Sequence, residues 1–183
     1  MGEVRIIGGQ WKRSKLPVPD APGLRPTSDR IRETLFNWLG QTLTGWRVLD
    51  AFAGSGALGF EAASRDATEV VLIERDARLV AGLRASVQRL KATTMTVHAA
   101  DALLWMRSAP RGAFDLVLLD PPFAAELFDA ALAAAAPLVG EGGLIYVEAP
   151  REIPAPAGFF ALRQGRAGAV HYQLLRREDN PAS

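Results

Sequence analysis

From Trp46 to Ala149 the chain alternates short apolar stretches with helical patterns. Five stretches of six to eight residues, such as "EVVLIE" at 69–74, are apolar almost throughout. Strands that are apolar on both faces are typical of a parallel sheet covered by helices on both sides. The pattern therefore predicts an α/β fold with a mostly parallel sheet.

The two ends of the chain have different patterns. The first 26 residues contain two short strand patterns, a basic bend with glycines and a Pro/Gly-rich connection. A helix follows, with Thr27 or Ser28 as its cap and Gly40 as its stop. After Pro150, "FFALRQGRAGAVHYQLLRR" predicts two strands and a turn, an antiparallel hairpin that finishes the sheet. We therefore predict an N-terminal hairpin arm, residues 1–26, and a main domain, residues 27–183.

Composition excludes several classes of protein. The chain has 183 residues, 49% of them hydrophobic, which is enough for one sizeable core. It has no cysteine, so a disulfide framework, a thiolate nucleophile and a cysteine zinc site are excluded. His98 and His171 lack metal-ligand spacing, and we predict no metal site. No signal peptide and no membrane-length apolar run is recognisable, so we expect a cytoplasmic protein without membrane contact.

Charge is distributed unevenly along the chain. Residues 1–32 carry seven Lys or Arg against three acids, whereas the remainder carries fourteen against seventeen. A basic arm on a mildly acidic body suggests a polyanionic partner. A solvated tail would have the same composition, and charge alone leaves both interpretations open.

A glycine motif follows the first strand of the alternating region. Gly54, Gly56 and Gly59 spell G-x-G-x-x-G, a spacing typical of dinucleotide binding. Glycines let the backbone approach a ligand, and the third allows close helix packing. However, Asp50 stands just before the loop, where a carboxylate would repel a pyrophosphate.

Acidic residues fall near the predicted carboxyl ends of four successive strands. They are Asp50, Glu74, Asp101 and Asp120. In an open parallel sheet these ends border one ligand crevice. Four carboxylates suit an amino group, ribose hydroxyls and an adenine amine, all of which S-adenosylmethionine has. Glu74 stands where a ribose-binding acid is expected. The alternative is that these acids cap the following helices.

The sequence "DPPF", Asp120 to Phe123, follows the fourth strand. Its carboxylate and its proline carbonyls are acceptors, which suit a substrate amine. Phe123 offers a ring on which a flat base can stack. The alternative is a rigid turn with Phe123 in the core. No lysine follows the glycine loop as it does in nucleoside triphosphatases.

The "DPPF" motif resembles that of methyltransferases acting on planar nitrogens: adenine N6, guanine N2 or a glutamine amide. Together, "RPTSDRIRETLFNWL", "LDAFAGSGALGFEAASR", "LIERD", "VLLDPPF" and "LIYVEA" resemble the RsmD-type bacterial methyltransferases of 16S rRNA, over nearly the whole chain. The resemblance implies a class I methyltransferase fold: a Rossmann-like, mostly parallel seven-stranded sheet with helices on both faces and an antiparallel last strand.

The resemblance also implies the activity, which is methylation of the exocyclic N2 of one guanine with S-adenosylmethionine as cofactor. The implied partner is 16S rRNA within a small-subunit assembly particle, and we expect a monomer. The implied cofactor-binding residues are Asp50, Phe52, Gly54, Gly56, Glu74, Arg75, Asp101, Ala102 and Asp120. The implied catalytic residues at the target base are Asp120, Pro121 and Phe123.

RNA contact is predicted for the N-terminal signature and the basic arm, at Arg5, Trp11, Lys12, Arg13, Lys15, Arg25, Thr27, Arg30 and Arg32. Trp11 could instead pack the arm onto the body. The residues from Arg25 to Arg32 could instead position the rim of the active site.

Three rival functions remain. One is an amino-methyltransferase with another target, such as DNA adenine or another rRNA guanine. The second is an NAD-dependent oxidoreductase, which Asp50 disfavours. The third is a non-catalytic RNA-binding module, which would be expected to have lost Asp50, Glu74 or Asp120.

Overall fold

The structure is a computed structural model that describes residues 2–21, 24 and 27–180. The strands are β1 (Gly2–Arg5), β2 (Lys15–Val18), β3 (Arg47–Asp50), β4 (Glu69–Glu74), β5 (Met95–Ala99), β6 (Phe114–Leu119), β7 (Val139–Ala149), β8 (Phe159–Ala167) and β9 (Val170–Arg177). The helices are α1 (Asp29–Leu39), α2 (Ala57–Ser64), α3 (Ala77–Arg89), α4 (Ala102–Ser108) and α5 (Phe128–Ala135).

Seven strands form one sheet in the order β5-β4-β3-β6-β7-β9-β8. The strands from β5 to β7 in this order are parallel, whereas β9 runs antiparallel to both β7 and β8. The predicted mostly parallel sheet with an antiparallel last strand is therefore confirmed. The predicted N-terminal hairpin is also confirmed, because β1 and β2 pair antiparallel.

The order of the strands places a ligand crevice beside β3. This strand pairs with β4 on one side and with β6 on the other, so successive connections leave it in opposite directions. In an open α/β sheet, ligands bind outside the carboxyl ends of the strands at such a switch point. The loops after β3, β4, β5 and β6 meet at this edge.

Both faces of the sheet are covered, which explains the continuous apolar strands. Val48 and Leu72 point to the face that carries α1, α2 and α3, whereas Leu49 and Ile73 point to the face of α4 and α5. All four are buried. Burial of each such side chain contributes about 1.5–3 kcal/mol.

None of the described helices has the length and the apolar run that crossing a membrane requires.

The N-terminal hairpin lies along α2. Val4 and Val18, at its open end, pack on Ala57 in the first turn of α2. Its loop lies at the opposite end of the helix, where Ser64 accepts a hydrogen bond from the Trp11 N–H at 2.9 Å. Eight helical residues separate these ends by about 12 Å. Ile6, Leu16 and the main-domain helices share one core, and the division after residue 26 stays a prediction.

For two helices, the boundaries that the sequence predicts can be compared with those in the structure. Helix α1 agrees with its prediction, since Ser28 caps it through the Ile31 N–H at 3.2 Å and Gly40 ends it. The Ala-rich segment "AAELFDAALAAAAPLV", 124–139, predicts one continuous helix, but the helix in the structure is shorter. A 3₁₀ turn at Phe123–Ala125 and a left-handed Glu126 come first, and α5 begins at Phe128. Prolines 121 and 122 fix the preceding backbone and delay the helix.

Candidate functional site

A cavity of about 250 Å³ opens at the carboxyl ends of β3 to β6. All four acids that the sequence singled out line it: Asp50, Glu74, Asp101 and Asp120. Phe52, Gly54, Arg75, Ala102 and Pro121, from the predicted cofactor and target sites, also line it. The topology thus brings together residues that are as much as 71 positions apart in the chain.

The glycine loop turns the chain into α2. Gly56 is the N-cap in a left-handed conformation (φ 83°), and among the described residues no side chain caps this end. Ala57 and Leu58 line the cavity, so the positive end of the helix faces it. Gly56 is not among the residues that line the cavity and shapes the turn, and its predicted contact with the cofactor stays a prediction. A Cβ there would lie 2.7 Å from Leu83 and Phe60.

Asp50 is buried beneath this loop. Its Oδ2 accepts a hydrogen bond from the Gly59 N–H at 3.0 Å, which joins β3 to α2. A Cβ on Gly59 would lie 2.3 Å from Leu72, so the predicted close helix packing requires glycine there. Burial raises the pKa of Asp50 to about 7; the Gly59 hydrogen bond opposes this, while Asp120 and Glu74 add to it. A cationic ligand group would favour the ionised form.

Glu74 holds the glycine loop against β4. Its Oε1 accepts from the Gly54 N–H at 3.0 Å, and its Oε2 accepts from the N–H groups of Arg75 and Asp76, both at 2.9 Å. A carboxylate has about four acceptor positions, so about one is left toward the cavity. Its predicted ribose contact stays a prediction.

Asp101 has the role that the helix-capping alternative proposed. Its Oδ1 accepts from the Leu104 N–H at 3.0 Å, so it caps α4. Asp76, which the sequence analysis did not single out, caps α3 in the same way and also lines the cavity. Capping occupies part of the Asp101 carboxylate, and the same side chain borders the cavity beside Ala102.

The Asp120 carboxylate is held by Thr27, a residue outside its own loop. Its Oδ2 accepts a hydrogen bond from the Thr27 hydroxyl at 2.9 Å, and the same hydroxyl lies 3.2 Å from Glu148 Oε2. Thr27 is buried, so direct RNA contact by its side chain is corrected in favour of the alternative, a position at the active-site rim. Sequence reasoning missed Glu148, although a glutamate in the apolar strand "LIYVEA" was a signal for a polar role.

Arg32 was predicted to contact RNA, and this prediction is wrong. Its side chain is 0% exposed and donates to Glu61 at 3.2 Å, to the Arg5 carbonyl at 3.1 Å and to Asp29. Glu61 is also fully buried and pairs with Arg65 at 3.0 Å. The sequence of α1 alone did not predict this, because the partner of Arg32 is a buried acid on another helix.

The arm places its basic residues away from the cavity. Its loop lies beside the last turn of α2, and Trp11 packs near Phe60 with ring centroids 6.4 Å apart. This contact favours the packing interpretation of Trp11. The arm's own exposed cations at or near this end are Arg5, Lys12, Arg13 and Lys15. Arg30 is exposed in the first turn of α1, close to Thr27, and Arg25 lies outside the described residues.

The target-base residues divide between the cavity and its surroundings. Pro121 and Pro122 line the cavity, whereas Phe123 packs edge-on against Phe128 with centroids 5.9 Å apart. Phe123 is half-buried, and both its stacking role and its core role stay open. The sequence missed the apolar wall, which includes Leu24, Ile73, Leu79 and Leu103. Nothing in their pattern distinguishes them from ordinary core residues.

The family model described as Conserved hypothetical protein 95 matches residues 4–176. The chain belongs to this family. It is 44% identical to Ribosomal RNA small subunit methyltransferase D of Escherichia coli K12, over 97% of this chain and 91% of the relative. It is 41% identical to the protein of the same name from Haemophilus influenzae, over 96% and 94%. The family resemblance predicted from the motifs is therefore confirmed.

Solved structures agree with the family assignment. The yhhF protein of Escherichia coli matches with a TM-score of 0.86 and 42% identity, over 98% of this chain and all of that one. A Precorrin-6y C5,15-methyltransferase from Geobacter metallireducens matches with a TM-score of 0.67 at 15% identity, over 88% and 93%, which shows the fold alone. The predicted class I methyltransferase fold is confirmed.

Proposed function

We propose that this chain is an S-adenosylmethionine-dependent methyltransferase that modifies the exocyclic N2 of a guanine in 16S rRNA. One observation carries the proposal: a cavity lined by Asp50, Glu74, Asp101 and Asp120 adjoins the Asp-Pro-Pro-Phe turn. The relatives named for methylation of small-subunit ribosomal RNA support the same conclusion.

The residues of the cavity fit this cofactor. The amino end of α2, which no side chain of the described residues caps, suits the carboxylate of the methionine part. Asp50 provides negative potential for the amino group, while Glu74 and Asp101 provide acceptors for the ribose hydroxyls and the adenine. The same carboxylates would repel a diphosphate, which disfavours NAD. When bound, S-adenosylmethionine supplies a methyl group that its sulfonium has already activated.

Asp120 and the Pro121 carbonyl accept hydrogen bonds from the two N–H groups of the target amine. Fixing both acceptors orients the amine, and such positioning accounts for several kcal/mol of rate acceleration. The target base has to leave its stack to reach this pocket. Phe123 then provides a ring against which the extruded base stacks.

The proposed partner is 16S rRNA, met within a small-subunit assembly particle by a monomeric, cytoplasmic enzyme. Arg30 contacts the RNA beside the pocket. The arm, with Arg5, Lys12, Arg13 and Lys15, contacts RNA farther from the reacting base. This partition follows from the position of the arm loop at the far end of α2.

The test is methylation of small-subunit rRNA by the purified chain, followed by digestion and mass spectrometry of the nucleosides. We expect N2-methylguanosine from the wild type and a strongly reduced yield from Asp120→Asn. Exposed Asp129→Asn, on α5, is the control and keeps the wild-type yield. N6-methyladenosine as the product would contradict the guanine assignment, and no methylated nucleoside would contradict the activity.

A further inference from the structure

A buried chain of polar side chains connects the target-base residue to the interior of the sheet. The Tyr146 hydroxyl donates to Glu148 Oε1 at 2.8 Å. Glu148 Oε2 lies 3.2 Å from the Thr27 hydroxyl, which lies 2.9 Å from Asp120 Oδ2. Tyr146 and Glu148 are 0% exposed and Thr27 is 5% exposed. These contacts join the segment before α1, the turn after β6 and strand β7.

The Thr27 hydroxyl has one proton and two carboxylate acceptors within reach. It can donate to Asp120 or to Glu148, but not fully to both. Because buried polar groups require partners, Glu148 gives this hydroxyl a second acceptor when the Asp120 carboxylate turns toward a substrate amine. Tyr146 fixes the other oxygen of Glu148. Burial and the neighbouring Glu148 raise the pKa of Tyr146, so its phenol stays a donor.

The residues that follow Thr27 are anchored by a helix cap and by a buried ion pair. Thr27 directly precedes Ser28, the N-cap of α1. Four residues after Ser28, Arg32 anchors this helix to α2, because its Nη1 lies 3.2 Å from Oε1 of the buried Glu61. A side chain at the start of an anchored helix has little freedom to move relative to the sheet. Thr27 can therefore transmit the position of α1 to Asp120.

We propose that Thr27 and Glu148 are positioning residues that hold the Asp120 carboxylate for the target amine. The Thr27 hydroxyl orients Asp120 before the substrate arrives, and Glu148 receives that hydroxyl when Asp120 engages the amine. Neither residue contacts the reacting atoms. This inference rests on the proposed methyltransferase function.

The test is the single-turnover rate of methyl transfer to small-subunit rRNA at saturating enzyme. Thr27→Val removes the hydroxyl at constant shape and should lower the rate at least about 10-fold, toward the roughly 10²-fold cost of a 1 Å misplacement. Thr27→Ser should restore most of the rate, and RNA and cofactor affinities should stay at wild-type values. Thr34→Val, on α1, is the matched control and should keep the wild-type rate, because the Thr34 hydroxyl donates instead to the Arg30 carbonyl at 3.0 Å.

A double-mutant cycle separates positioning from a general structural role. In an Asp120→Asn background, Thr27→Val should cause little further slowing, because residues that act through one another are not additive. Fully additive losses, or a wild-type rate for Thr27→Val, would overturn the inference. If Thr27→Val fails to fold, Tyr146→Phe and Glu148→Gln test the same series of hydrogen bonds. Wild-type rates for both variants would overturn the inference. A wild type without methyl transfer would instead refute the proposed function, and the inference would fall with it.

Discussion

The two ends of α2 use polar groups in opposite ways. At the carboxyl end, Glu61 is fully buried, and its oxygens accept from Ile7 and Gly8 N–H groups and from Arg32 and Arg65. At the amino end, no side chain among the described residues caps the helix, and carboxylates line the adjacent cavity. A buried charge whose partners all come from the chain cannot lose one of them without destabilising the fold, whereas polar groups that border a cavity can also contact a ligand.

The largest expected effect is at the carboxyl end. Glu61→Ala leaves Arg32 and Arg65 buried without their shared carboxylate, and we expect a loss of about 3–5 kcal/mol in the free energy of unfolding. Denaturant unfolding measures it. Glu3→Ala is the control, because its ion pair with Lys15 is more than half exposed and contributes at most about 1 kcal/mol. A loss below about 1 kcal/mol for Glu61→Ala would show that the two ends do not differ in this way.

At the amino end of α2, the expected effect is a dependence of stability on pH. The folded pKa of Asp50 is about 7, above its ordinary value of 3.8, because the carboxyl is buried. The folded state therefore binds more protons between these values, and stability falls as pH rises through the window. From pH 5 to pH 8 without cofactor, we expect the free energy of unfolding to fall by about 2–3 kcal/mol because of this group. Asp50→Asn should lose that dependence, and unfolding at the two pH values measures it. An unchanged dependence in the variant would assign it to other groups.

A smaller effect should appear at Glu74, which borders the cavity. Glu74→Ala removes a charged acceptor and the anchor of the glycine loop, and we expect cofactor affinity to weaken by about 1–3 kcal/mol. Titration calorimetry with S-adenosylmethionine measures it. Glu69→Ala, at the exposed start of the same strand, is the matched control. Equal affinities for both variants would mean that Glu74 only supports the loop.

The smallest effects concern surface cations at the two ends. Arg30 lies near the pocket rim, whereas Lys12 lies at the far end of α2. We expect Arg30→Gln to weaken RNA binding more than Lys12→Gln, and each phosphate that is no longer neutralised should reduce the log–log salt slope by about 0.7–0.9. Fluorescence titration over a range of salt concentrations measures both. A larger effect of Lys12→Gln would place the main RNA contact on the arm.

The sequence predicted the carboxyl edge of the sheet well because that edge follows from local rules. Apolar strands that alternate with helices and an acid at each strand end are visible in the chain, and the cavity contains Asp50, Glu74, Asp101 and Asp120 together. Gly59 was correctly assigned to helix packing for the same reason.

The sequence could not predict partners that lie far apart in the chain. Arg32 was assigned to RNA because it lies in the N-terminal signature of the family, and a charged residue on a helix is ordinarily exposed, while its partner Glu61 is 29 residues away. Glu148 was missed because its contact with Thr27 spans 121 residues. Polar residues within apolar segments, such as Glu61 and Glu148, were the signal that such partners existed.

The central claim is that the carboxylate-lined cavity accepts a methyl donor rather than a dinucleotide. Titration calorimetry of the wild type with S-adenosylhomocysteine, S-adenosylmethionine and NAD tests it most directly. We predict saturable one-to-one binding of the first two and none of NAD. Binding of NAD without binding of either methyl-donor ligand would contradict the account.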